Sequence, residues 1–172
     1  MRIFDRFRKK RTDSSFPENE LEKLLMQAAS DTSARNDFYT KLLWSDLIVI
    51  TNGQQDIPEG VKVLEKDTTV QFVTFENGEI PLFTSTNRIF DKGIVKEQVS
   101  FMAIKGQELF DFTRGATFIL NPYSDFDKEL IPDEIGSLLD GSIFENNQEM
   151  TIQSDTEVQI GQPATSPDEL VN

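Results

Sequence analysis

The spacing of apolar positions changes along the chain, from a helical period at the start to strand-like runs in the middle. Leu21, Leu24, Leu25 and Ala28 recur at i, i+3, i+4 and i+7, one face of a helix. Asn19 stands where an N-cap is needed, and Glu22 follows at capping-box spacing. This pattern predicts a helix over 19–30. Asp31-Thr32-Ser33 interrupts it and offers new caps, so a second helix is expected over 33–43, with Phe38 and Leu42 on one face. Helices joined so closely should pack as a hairpin. Short apolar and β-branched runs then predict strands at Leu47–Ile50, Val61–Leu64, Thr69–Phe75, Ile80–Thr84, Gln98–Ile104 and Ala116–Leu120. Asn77-Gly78 between two of these runs is a strong hairpin signal, so 69–75 and 80–84 are expected to pair. Short helices are expected over 86–91 and 107–113. Pro132 opens a last helix to Leu139, with Ile135, Leu138 and Leu139 facing inward and Gly141 ending it. The segment 121–131 reads as a loop, since Asn121-Pro122 stops the strand before it. Together these elements predict an α+β fold: a mixed or antiparallel sheet of about five to six strands, helices packed on it, and an N-terminal helical hairpin.

Charge divides the chain into three parts. Residues 1–11 carry a net +5, whereas 129–172 hold ten acids and no base; the whole chain of 172 residues is at −13. The expected organisation is a basic head (1–18), an α+β domain (19–144) and an acidic tail (145–172), in which 157–160 is a candidate edge strand. In a helical head, Ile3, Phe4 and Phe7 would share one face and Arg2, Arg6 and Lys9 the other. The first reading of this pattern is a solvated terminus. The alternative is contact with an anionic membrane surface or a partner. No apolar run approaches the length of a membrane span, and the basic head has no apolar stretch behind it, so cytoplasmic residence is expected.

The absence of both histidine and cysteine removes Cys–His and Ser–His–Asp catalysis, thiol redox chemistry and Cys/His zinc sites. No glycine-rich phosphate loop or nucleophile elbow is present. Carboxylates are the remaining currency. Asp125-Phe126-Asp127-Lys128-Glu129 resembles the start of a calcium loop, but Leu130 and Gly136 stand where such a loop needs Gly and a bidentate Glu. No metal, cofactor or catalytic residue is therefore assigned. The negative charge also argues against nucleic acid as a partner. Phe72, Phe75, Phe83, Phe101, Phe110, Phe112 and Phe118 fall in predicted elements and are expected in the core, and Trp44 is expected to cap it near Tyr39.

NELEKLLMQAA (19–29), RNDFYTKLLWSDLIVI (35–50), PLFTS (81–85), FMAIKGQELFDFTRGATFILNPYSDF (101–126) and PDEIGSLLDG (132–141) together resemble the N-terminal domain of the SseB, or enhanced serine sensitivity, family. The resemblance implies an α+β domain and brings no catalytic or ligand residues with it. It also implies that longer members carry a second domain, whose opening VQIGQPATSPDELV (158–171) resembles. The expected function is a non-catalytic, cytoplasmic protein-interaction module whose partner has a basic surface. The alternatives are an immunity- or antitoxin-like protein masking a basic partner, and a carboxylate-based enzyme.

Overall fold

The computed structural model describes residues 16–53 and 65–145. The head residues Arg2, Ile3, Phe4, Arg6, Phe7 and Lys9, the expected strands at 61–64 and 157–160, and the acidic tail lie outside the described residues.

The two opening helices form as their spacing predicts. Helix α1 spans Glu20–Ser30 and buries Leu21, Leu25 and Ala28. Asp31 then caps a 3-10 turn, Thr32–Ala34, through Ser33, and α2 runs over Arg35–Trp44. Strand β1 (Asp46–Ile50) follows, then β2 (Ile80–Phe83), α3 (Thr86–Ile89), β3 (Phe101–Lys105), α4 (Gly106–Phe112), β4 (Phe118–Leu120), β5 (Lys128–Leu130) and α5 (Pro132–Asp140). The five strands form one mixed sheet in the order β3-β1-β2-β4-β5. Only the β2–β4 pair is parallel. The fold is α+β with an N-terminal helical pair, as the sequence predicts.

One face of the sheet carries the main core. Leu47, Val49, Leu82, Phe118, Leu120 and Leu130 meet α1, α2, α4 and α5 there. The other face is thinly covered: Ile48, Ile50 and Phe83 pack on Ile89, with Phe90, Val95, Val99 and Tyr123 around them. A strand buried on both faces needs a continuous apolar run, which is what Leu47–Ile50 supplies.

The expected hairpin does not form. Asn77-Gly78 does turn the chain, with Gly78 at φ 87° and its N–H on the Phe75 carbonyl, 2.9 Å. Residues 69–75, however, are not a strand paired with 80–84. Pro81 is the physical reason. Ile80 N–H and the Leu82 carbonyl bond to the β4 side, so strand alternation turns residue 81 toward β1, where proline has no N–H to give. The β1–β2 register ends at Val49↔Leu82. The Ile50 carbonyl is taken instead by the Val73 N–H at 2.9 Å, and Phe72 bridges Thr51. A second correction concerns 121–131: Lys128–Leu130 pairs antiparallel with β4 and forms the far edge of the sheet.

Three aromatics expected inside are outside. Trp44 is 63% exposed, because at 100° per residue it falls about 170° from the α2 face formed by Phe38, Tyr39, Leu42 and Leu43. Phe112 is 75% exposed, about 160° round α4 from buried Phe110. Phe101, 51% exposed, lies on the sheet's edge strand and on its thinly covered face. Phe83, Phe110 and Phe118 are buried as expected, and Phe72 and Phe75 are half-buried.

Candidate functional site

Among the described residues, a dense polar cluster is buried inside the fold. The parallel strands β2 and β4 end at Thr84 and Asn121, and α1 begins directly against those ends. Asn19 caps α1 by accepting from the Glu22 N–H at 2.9 Å, and its amide donates to the Thr84 carbonyl at 3.3 Å. Asn121, at φ 49°, takes a left-handed conformation that asparagine tolerates better than most residues. Its side-chain oxygen accepts from the Thr84 N–H at 3.1 Å, and its amide donates to the Thr84 hydroxyl at 3.0 Å. That hydroxyl in turn donates to Glu22 Oε1 at 2.5 Å.

Arg88, only 2% exposed, is the centre of the cluster. Its Nε meets Glu22 Oε1 at 2.8 Å and its Nη2 meets Glu22 Oε2 at 3.2 Å, a bidentate pair. Nη1 reaches Asp91 at 3.2 Å, Nη2 also meets Glu18 at 3.3 Å, and the Phe16 ring lies 4.8 Å from the guanidinium carbon. Glu22 was expected to close a capping box. Its carboxylate instead accepts from the Glu18 N–H at 2.6 Å, from Thr84 and twice from Arg88. Those four donors fill its acceptor positions, so this carboxylate holds structure and offers no lone pair to a substrate. Burial pushes the Asp91 carboxyl above its ordinary value; Arg88 opposes that shift, and Glu22 and Glu18 add to it. Burial also works against the Arg88 charge, but Glu22 and Asp91 outweigh it and raise the guanidinium further.

A second polar knot joins α2, β5 and α5. The Tyr39 hydroxyl donates to Glu134 at 2.5 Å, and Lys128 meets the same Glu134 oxygen at 2.8 Å. Burial, then Glu134, drive the phenol well above its usual range. The acids at 125–129 do not converge. Asp125 is held by Lys92 at 2.8 Å, and Lys128 and Glu129 belong to β5. Among the described residues no group of three or more acids is placed to hold a metal ion.

A concavity lies on the thinly covered face. It is a groove of about 280 Å³, with Thr86, Asn87 and Ile89 along one wall and Val99 and Phe101 along the other. Ser85, at the start of α3, has a buried hydroxyl with no hydrogen-bond partner among the described residues. Nothing in the sequence pointed to this groove, because its walls come from elements with no shared motif.

Residues 21–137 match the model of the SseB protein N-terminal domain. The chain belongs to the SseB family. Two curated relatives, each called Protein SseB, come from Escherichia coli (strain K12) and Shigella flexneri. Each is 32% identical over 125 residues, which cover 70% of this chain and 46% of the relative. The chain thus matches about half the length of these curated SseB proteins. No solved structure matches it. The matched residues include Glu22, Thr84, Arg88, Asp91 and Asn121 of the cluster, whereas Glu18 and Asn19 precede the match. No described helix is long and apolar enough to cross a membrane.

Proposed function

We propose that this SseB-family chain is a cytoplasmic binding module rather than an enzyme, and that its partner is a protein with a basic surface. Surface charge is the supporting observation. The described residues contain 21 acidic and 10 basic side chains. At least six of the ten bases are held in ion pairs with the chain's own carboxylates, among them Lys23, Arg88, Lys92, Lys105, Arg114 and Lys128. Such pairing quenches positive charge and leaves an acidic surface. That surface steers a basic partner in and repels acidic ones. Asp125, Asp127 and Glu129 lie together in sequence on the exposed rim of β5 and are the natural place to reverse it.

Affinity capture from the native host, read by mass spectrometry at low and at physiological salt, tests this reading. The expected result is retention of basic proteins that weakens with salt. A variant carrying Asp125→Lys, Asp127→Lys and Glu129→Lys should retain less. Equal capture by the wild type and this variant, or capture indifferent to salt, would refute a charge-based partnership.

A further inference from the structure

The outer edge of β3 pairs with no described strand, and alternation tells which of its backbone groups are open. Thr51 N–H bonds to the Ser100 carbonyl and Gly106 N–H to the Ser45 carbonyl, 2.9 and 3.0 Å. Even-numbered residues of β3 therefore turn their backbone groups toward β1, in the register Asp46↔Lys105 to Ile50↔Phe101. Phe101, Ala103 and the N–H of Lys105 face outward. The Phe101 and Ala103 side chains lie on the same sheet face as Ile48 and Ile50, beside the groove. From Gln98 to Ile104 the chain carries no charge. Natural edges are commonly guarded by a lysine. Here that lysine, Lys105, is bound to Asp46 at 2.9 Å.

We propose that β3 accepts an extended segment of a basic protein partner as a sixth strand, with every second side chain of that segment set against the Phe101–Ile89 groove. The inference rests on the reading of the chain as a binder of basic proteins and names the site. Backbone hydrogen bonds to an open edge supply affinity, and a pocket for alternate side chains supplies selectivity. Charge selects the occupant. The described residues sum to −11, so a second copy of this chain is repelled, while a segment with apolar residues alternating with lysine or arginine is attracted. Because Asp46 neutralises Lys105, the edge adds no repulsion of its own.

The test uses the full chain and an alternating lysine–valine peptide of about nine residues, long enough to span the strand. Amide exchange at Phe101, Ala103 and Lys105 should slow by ~10-fold or more on binding, with far less change at Met102 and Ile104, which already bond to β1. Ala103→Pro removes only an outward N–H, so it should bind the peptide about tenfold more weakly while melting close to wild type. Should that variant fail to fold, a peptide N-methylated at alternate residues blocks the same ladder from the ligand's side and should bind as weakly. Unchanged exchange at the three amides, or equal binding by Ala103→Pro, would overturn the edge site while leaving the basic-partner reading standing. A glutamate–valine peptide that binds as tightly would overturn both. Sedimentation as a dimer that Ala103→Pro makes monomeric would show a second copy to be the occupant instead, and would overturn the proposal.

Discussion

Removing the Arg88 side chain would leave Glu22 and Asp91 buried, close together and without their cation. Breaking a buried ion pair from one side typically costs about 3–5 kcal/mol. Arg88→Leu should lower unfolding stability by that order in a urea titration, and a loss below about 1 kcal/mol would show that the cluster is dispensable. Arg88→Lys should recover little, since an ammonium cannot make the bidentate contact with Glu22. Asp91 gives a pH test. Its folded carboxyl binds protons more readily than the unfolded one. Its favourable contribution is therefore complete below the unfolded value and lost as pH rises through the folded value. The stability of the wild type relative to Asp91→Asn should fall as pH rises above the ordinary aspartate value of about 4. A difference constant across melts above that pH would refute the assignment. Of this cluster the sequence revealed only the Asn19 cap. Glu22 and Arg88 lie 66 residues apart, and no local pattern pairs them.

Among the elements, the contact between α2 and α4 is the most constrained. Gly106 opens α4 directly against the end of α2, and a Cβ there would run into the Leu42 carbonyl, a backbone atom that cannot swing aside. Gly106→Ala should force the two helices apart and cost about 1–3 kcal/mol, the range for overpacking. A melt within a degree of wild type would mean the contact is looser than its geometry. The five described α-helices and strands β1 to β4 were readable in the sequence to within a few residues, because burial on one side imposes a period of 3.6 or 2, but the strand expected over 69–75 reduces to a single bridge at Phe72. Pairing partners were less so. The Asn77-Gly78 turn formed, yet Pro81 diverted residues 71–73 to the end of β1. The three-residue β5 was too short to show a period at all.

At the scale of the molecule, net charge opposes compactness. Added sodium chloride should raise the melting temperature by screening this self-repulsion. Calcium should do no more than sodium at matched ionic strength, because the acids at 125–129 are dispersed over an ion pair and an edge strand. A shift peculiar to calcium and abolished by Asp127→Asn would reveal a native-state ion site, through the stabilisation that selective binding gives.

By itself the sequence determined the α+β class, the helix faces, the caps at Asn19 and Gly141, the acidic balance and the resemblance to the SseB family. These follow from short-range periodicity, turn chemistry and composition, which survive without knowledge of neighbours. Trp44 and Phe112 were also within its reach, since their helical angles alone point them outward. Only the tertiary structure decided that β2 and β4 run parallel, that α1 starts against their ends, and that Arg88 is neutralised there among Glu18, Glu22 and Asp91. It alone decided which side of β3 is open. Such outcomes depend on which elements become neighbours, and that is set by the shared burial of one core rather than by any local pattern along the chain.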